Sequence, residues 1–312
     1  MGKMVEVDGL VKKYNDFTAV DSLSFQVNEG IIYGFLGPNG AGKSTTLSII
    51  ATLLRFNSGN ITVGGYDIHK NKSKIRNIIG WVPQEIVLYP QMSIKDNIRF
   101  YGSLYGLKGS KLDTACKEAL KVVALLDISG KKVNSLSGGM QRRLNIACGI
   151  VHKPKLVIMD EPTVGVDAQS RDLIMQSIKT LNEMGSTIIY TSHYMHEVEE
   201  LCSEIGIINK GKMVAEGSYE ELAKEFAEGS NCLVETSLAA LNAGFASLQE
   251  RFPNWNITRN ENQLTFVTEA GMDINDFLQE MIRLKMPVMN VSSEQLSLED
   301  IFLKLTGKTI KE

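Results

Sequence analysis

The chain has 312 residues, is 43% hydrophobic and 22% charged, and carries a formal net charge of −3 at pH 7. That length allows a full core and two domains. The charge balance gives no overall basic field, so no nucleic-acid partner is expected. No stretch approaches the roughly 18 consecutive apolar residues of a helical membrane span, and Met1-Gly2-Lys3-Met4-Val5-Glu6 lacks the apolar core of a secretory signal.

The opening third reads as β-rich, with Met4–Val7, Leu23–Val27 and Ile31–Leu36 carrying β-branched and aromatic residues between turn signals. Ile31–Leu36 is almost wholly apolar, the pattern of a strand buried on both faces. A helix is predicted over Thr45–Leu54. Apolar residues at three- and four-residue spacing then predict helices over Ser93–Tyr105, Leu112–Leu126 and Gly139–His152. Strands at Leu156–Met159, Thr187–Tyr190 and Ile205–Ile208, with a helix over Ala168–Met184, predict a parallel α/β sheet. Asn209-Lys210-Gly211-Lys212 turns the chain into a return strand at Met213–Ala215.

Gly229-Ser230-Asn231 marks the expected boundary between a domain over 1–228, with a helical subdomain over about 85–152, and an accessory domain over 231–312. The second is predicted as strand Cys232–Thr236, helix Leu238–Arg251, strands Trp255–Arg259 and Gln263–Val267, helix Ile274–Leu284 and strand Pro287–Ser292. That is the βαββαβ order of a small α+β, ferredoxin-like domain. A last helix, Leu298–Leu305, follows. The four cysteines (Cys116, Cys148, Cys202, Cys232) are scattered, without a C-x-x-C pair, and read as small buried apolar residues.

Three motifs carry chemistry. The first, Gly37-Pro38-Asn39-Gly40-Ala41-Gly42-Lys43-Ser44-Thr45, fits G-x-x-x-x-G-K-[ST]. Glycines let the main chain approach phosphates that a Cβ would exclude, and the following helix presents N–H groups and the positive end of its dipole. Lys43 is then placed against the β/γ-phosphates and the Ser44 hydroxyl against Mg²⁺. Alone, this loop predicts ATP or GTP. The second is the apolar strand Lys155–Met159 ending in Asp160 and Glu161. A parallel strand delivers such acids to the edge that carries the phosphate loop, where Asp160 suits a water-mediated Mg²⁺ role and Glu161 the polarisation of an attacking water. The third, Leu136-Ser137-Gly138-Gly139-Met140-Gln141, heads a helix with Ser137 as a natural N-cap and two glycines exposing backbone donors. Taken singly it is either a plain cap or a second anion site.

Together, and in this order over roughly residues 3–225, the motifs resemble the nucleotide-binding subunit of ATP-binding cassette (ABC) proteins, whose signature is Leu-Ser-Gly-Gly. The resemblance implies an α/β P-loop NTPase domain of ABC type: a parallel core sheet, an antiparallel β subdomain and a helical subdomain. It also implies ATP as the nucleotide, Mg²⁺ as the ion, and a head-to-tail dimer in which Ser137, Gly138, Gly139 and Met140 meet the γ-phosphate bound to the other subunit. Met140 stands where Gln is often found. By the same resemblance Tyr14 stacks on adenine, Gln84 reaches Mg²⁺ and the attacking water, Asp167 lies in a loop crossing the dimer interface, and His193 contacts the γ-phosphate. The expected catalytic set is therefore Lys43, Gln84, Glu161 and His193, with Ser44, Gln84 and Asp160 toward the metal. A His193/His196 metal pair would need a third ligand that the sequence does not offer.

The aromatic stretch from Tyr89 through Met92–Leu107 and the tail Leu298–Gly307 look like those of export-type subunits. This implies a separate multi-span permease, a second ATP-binding subunit (the same chain or a close relative), and a cytoplasmic, peripheral place on the inner face of the membrane. Two other readings stand beside it: an importer ATPase with a ligand-sensing C-terminal domain, and a soluble ABC ATPase acting on ribosomes or DNA. The tail and the aromatic stretch speak against the first. The second usually carries tandem cassettes, coiled-coil insertions or zinc modules, and none is visible here.

Overall fold

The computed structural model describes residues 2–226, 230–268, 274–294 and 296–307. They divide into two units, one running to Tyr219 and taking in the chain end from Phe302, the other covering Glu220–Ile301. The division lies upstream of Gly229-Ser230-Asn231, where Gly229 is outside the described residues and Ser230 opens a strand.

The larger unit begins with β1 (Lys3–Tyr14), β2 (Phe17–Asn28), β3 (Ile32–Leu36) and α1 (Lys43–Ile50). Next come β4 (Ser58–Val63), β5 (Tyr66–Asp67), α2 (Lys72–Ile78) and β6 (Ile79–Val82). Helices α3 (Ile94–Leu104), α4 (Gly109–Val122) and α5 (Gly138–Ile150) form the expected helical region. The chain then alternates through β7 (Leu156–Asp160), α6 (Ala168–Glu183), β8 (Thr187–Thr191), α7 (Met195–Leu201) and β9 (Glu204–Asn209), and returns through β10 (Lys212–Gly217); α8 (Tyr219–Phe226) follows and, past its first residue, belongs to the smaller unit.

One sheet has the order β10-β9-β3-β8-β7-β6. Its neighbours from β9 to β6 pair in parallel, and only β10 returns antiparallel on β9. Every residue of β3, β7 and β8 is buried, which is why their sequences are continuous apolar runs rather than alternations. An antiparallel sheet, β2-β1-β4-β5, supplies much of the neighbouring core, where Phe25 stacks on Tyr33 and Phe35 at 5.9 and 5.2 Å between ring centres. The four cysteines are buried free thiols.

Helix ends separate by how the chain turns off. α3 and α6 stop at glycines, Gly106 and Gly185, whose positive φ permits the left-handed turn and whose following residue donates back into the helix (Leu107 to Gly102 O, 3.2 Å; Ser186 to Leu181 O, 3.1 Å). α1 and α4 use the same bond with Thr52 and Ala124 in the left-handed position (Leu53 to Ser48 O, 2.8 Å; Leu125 to Leu120 O, 2.9 Å). Both therefore end short of the expected Leu54 and Leu126. Three elements were not anticipated as strands: β4, β5 and β6.

The smaller unit contains β11 (Ser230–Glu235), α9 (Leu238–Arg251), β12 (Thr258–Asn260), β13 (Gln263–Thr268), α10 (Ile274–Arg283) and β14 (Asn290–Glu294); α11 (Leu298–Thr306) begins within it. This is a β-α-β-β-α-β order in an antiparallel sheet ordered β12-β13-β11-β14. β12 starts later than expected because Asn256 takes a left-handed φ of 42°, so that Trp255 and Ile257 bury into the core instead of extending the strand. Phe277 sits at that core's centre, 4.2 Å from Phe266 and 5.5 Å from Trp255 between ring centres. Phe277→Ala should cost about 3–5 kcal/mol, the usual penalty for deleting a buried aromatic ring. Denaturant unfolding read by Trp255 fluorescence in a Trp81→Phe background measures this; an unchanged midpoint would contradict the central placing.

Candidate nucleotide site

Parallel strands put all their carboxyl ends on one edge, where α/β sheets bind ligands. β3 leads into Gly37, β6 into Pro83-Gln84, β7 ends in Asp160 followed by Glu161, and β8 ends in Thr191, two residues before His193. Because β3, β8, β7 and β6 are consecutive in the sheet, segments more than a hundred residues apart in sequence meet there. They line a pocket of ≈ 410 Å³ formed by Tyr14, Phe17, Ala19, Asn39 through Thr45, Gln84, Glu161 and His193.

The loop has no room for larger residues at two points. A Cβ on Gly37 would strike the Ile208 carbonyl, and one on Gly42, whose φ is 105°, would lie 2.5 Å from the Ala19 carbonyl. Gly42 caps α1, so the helix N-terminus opens into the pocket. Lys43 is buried, and its Nζ donates to the carbonyls of Gly37 at 2.6 Å and Pro38 at 3.3 Å. Burial pulls its pKa below the ordinary lysine value, while the charges of Glu161 and Asp160 offset part of that. Ser44 lies exposed on the pocket wall.

Glu161 takes a left-handed backbone, φ 50°, uncommon for a residue with a side chain. Its N–H donates to Thr191 Oγ1 at 2.9 Å, and Thr191 in turn donates to Asp160 Oδ1 at 2.9 Å. One Glu161 oxygen accepts from Gln84 Nε2 at 2.8 Å, and the other lies 2.6 Å from His193 Nε2. Burial opposes ionisation of Glu161, but the His193 hydrogen bond and charge, with Lys43 and Arg142, outweigh it and hold the carboxyl below its usual range. Asp160 is buried behind the pocket wall. Gln84 is itself held by α5: Arg142 Nη1 donates to the Gln84 and Pro83 carbonyls at 2.5 and 3.2 Å, and Asn145 Nδ2 to Glu85 O at 3.3 Å.

Tyr14 and Phe17 face each other across the β1–β2 turn. Both are exposed on the pocket wall, and Lys12 Nζ lies 4.5 Å from the centre of the Tyr14 ring.

Ser137, Gly138, Gly139, Met140 and Asp167 do not line this pocket. Ser137 caps α5 by accepting from Met140 N at 3.3 Å, and it is exposed together with Gly138. Asp167 caps α6, accepting from Ser170 N at 2.9 Å and Ser170 Oγ at 2.8 Å. The two caps touch: a Cβ on Gly139 would collide with the Ser170 side chain and lie 3.3 Å from Asp167 Oδ2. Sequence reasoning missed Phe17, Ala19, Arg142, Asn145 and Thr191. The readable signals were an aromatic residue three positions beyond Tyr14 and an arginine and an asparagine on the apolar face of α5.

The model of the ABC transporter family matches residues 20–164. Over 99% of its length the chain is 40% identical to the linearmycin resistance ATP-binding protein LnrL of Bacillus subtilis, covering all of that protein. It is 33% identical to the Nod factor export ATP-binding protein I of Ralstonia nicotianae, over 99% of this chain and 95% of that one. The daunorubicin/doxorubicin resistance ATP-binding protein DrrA of Streptomyces peucetius is 34% identical over 98% of this chain and 93% of its own. Among solved structures, a dimeric ATP-binding cassette in a post-hydrolysis state with ADP and Pi aligns at TM-score 0.63 and 28% identity, over 69% of this chain and 98% of that one. An ATP-binding subunit of an ABC transporter aligns at TM-score 0.65 and 25% identity, over 72% and 93%. The chain belongs to the ABC transporter family, as an ATP-binding ATPase subunit.

Proposed function

We propose that this chain is the ATP-hydrolysing subunit of an exporter and that Lys43, Gln84, Glu161 and His193 carry the hydrolysis. The observation behind this is the meeting of Gln84, Glu161 and His193 with residues 39–45 in one pocket. Lys43 and the N–H groups of the loop neutralise the β/γ-phosphates. Glu161, kept ionised by its neighbours, orients and polarises the attacking water. Gln84 and His193, each bonded to a Glu161 oxygen, fix that carboxylate and present donors toward the γ-phosphate. Tyr14 offers its ring to adenine.

The Ser44 hydroxyl, the Gln84 amide and the Asp160 carboxylate are hard oxygen donors on the same sheet edge, a set that suits Mg²⁺ with phosphate oxygens and waters completing its shell. When bound, the ion would supply charge neutralisation between the β- and γ-phosphates.

Ser137, Gly138, Gly139 and Met140 point to a second subunit, because the donors at the head of α5 lie away from this chain's own pocket. Facing head to tail, they would close on the γ-phosphate held by the partner loop, with Asp167 beside them at the interface. Resistance and export functions of full-length relatives, with the exposed Ile86, Val87 and Tyr89 directly after Gln84, support coupling to a separate multi-span permease at the cytoplasmic face of a membrane. Co-purification of the tagged chain with such a protein tests that coupling.

Glu161→Gln should retain ATP binding while steady-state hydrolysis falls by about 10²–10⁴-fold, the range for losing a positioned base. An ATP-dependent dimer should then persist on gel filtration. Hydrolysis near the parent rate would remove Glu161 from the base role. Ser137→Arg should leave ATP affinity of the monomer within about twofold yet lower hydrolysis by at least about tenfold, as expected for a group acting only in the closed complex. Loss of ATP binding by the monomer would overturn the trans arrangement.

A further inference from the structure

Behind the pocket lies a buried polar cluster that none of the three sequence motifs includes. Glu197, in the first turn of α7, is 2% exposed. Its Oε2 accepts three hydroxyl donors: Thr163 Oγ1 at 2.8 Å, Tyr190 Oη at 2.6 Å and Ser192 Oγ at 2.6 Å. Its Oε1 lies 3.3 Å from Arg171 Nε, and the Arg171 guanidinium sits over the Tyr194 ring, 4.4 Å from its centre. Ser192 Oγ also accepts from the Tyr194 amide at 3.0 Å.

The three hydroxyl donors and the ion-pair partner Arg171 come from the segments that must hold the catalytic pair. Thr163 is two residues past Glu161, Ser192 immediately precedes His193, Tyr190 is on the strand leading to it, and Arg171 is in the first turn of the helix capped by Asp167. Each reaches Glu197 through a side chain, and Thr163, Tyr190 and Ser192 are themselves almost wholly buried. One carboxylate thus ties the Glu161–Asp167 loop and the His193 loop to α7. A buried acceptor with this many donors is costly to leave half satisfied.

We infer that Glu197 is a positioning residue for hydrolysis: it sets the approach of His193 to Glu161 and links it to the Asp167 loop. This rests on the reading that Glu161 and His193 carry the reaction. Glu197→Gln is nearly isosteric but cannot satisfy both sides. If its oxygen serves the three hydroxyls, its NH₂ group faces Arg171, donor against donor; turned over, it deprives the hydroxyls of their acceptor.

The test is steady-state ATP hydrolysis by the full chain with Mg²⁺. Glu197→Gln should lower kcat by roughly 10- to 100-fold, the effect of a catalytic group displaced by about an ångström. KM for ATP should stay within about twofold, since no member of the cluster lines the pocket. In a His193→Ala background the same substitution should add little, because the two act through one contact. An unchanged kcat, a change in KM alone, or a full additional loss in the His193→Ala background would each overturn the inference. If Glu197→Gln does not fold, as judged by circular dichroism, Thr163→Val and Tyr190→Phe each remove one donor and should lower kcat in the same way; parent-like kcat in both would overturn it. Glu161→Gln run in parallel separates the two readings: active Glu161→Gln defeats the catalytic assignment, whereas inactive Glu161→Gln with fully active Glu197→Gln defeats only this one.

Discussion

Parallel register is the constraint on which this molecule depends. A phosphate loop, a glutamate, a glutamine and a histidine drawn from residues 39 to 193 share a pocket only because β3, β8, β7 and β6 run the same way, side by side. Apart from Asp160 and Thr191 at the carboxyl ends of β7 and β8, these strands are mostly apolar packing whose job is to aim four chain exits. Slipping one strand by a residue would turn its apolar set over and swing its terminal residue away from the shared edge. Core packing in β7 and β8 therefore decides whether Glu161 and His193 stand 2.6 Å apart, and stability and chemistry cannot be assigned to separate parts of the sequence.

Much of this was readable in advance where a local rule and the tertiary fold agreed. Ile31–Leu36 announced a buried strand, the glycine loop a tight turn into a helix N-terminus, and Ser137 a helix cap. Helix ends show where legibility stops. The glycine stops Gly106 and Gly185 were read to within a residue, whereas the helices closing on Thr52 and Ala124 were extended too far. The hydrogen bond is the same in all four cases. A left-handed threonine or alanine is a local penalty accepted because surrounding packing demands the turn, and no propensity announces it. β4 escaped notice for a related reason: it opens Ser58-Gly59-Asn60, a turn-like sequence, yet pairs with β1 because Gly59 lets the Gly9 backbone come close.

The candidate site divided along the same line. Residues in a motif were legible, and the ones that hold those residues were not. Arg142 and Asn145 fix the Gln84 segment from a helix nearly sixty residues away in sequence, and Thr191 joins the Asp160 carboxylate to the Glu161 amide. Each is an ordinary side chain whose role follows only from the fold. The signature segment is the opposite case. Its sequence suggested donors at a helix end, and the fold adds why the second glycine is required: α5 and α6 begin so close together that Ser170 occupies the space of a Cβ at position 139. The Asp167 cap and the exposed donors of α5 consequently form one surface.

The state of Glu161 bears on how the proposed reaction is gated. Each of its carboxylate oxygens already accepts from one protein donor, Gln84 or His193, so a water bonding to Glu161 must share an oxygen with that donor or take its place. Exchange of one hydrogen bond for another of similar strength costs little, because the desolvation of the carboxylate is not repeated. What does cost is moving the donors, since Gln84 is anchored through its backbone to Arg142 and His193 follows Ser192 in the buried cluster around Glu197. A γ-phosphate that recruits Gln84 or His193 as a donor removes a competing hydrogen bond and makes that Glu161 oxygen the stronger acceptor for the attacking water. On the proposed reading the base is then strengthened by the substrate it acts on, and a pocket without a correctly placed γ-phosphate keeps its carboxylate shared with two protein donors.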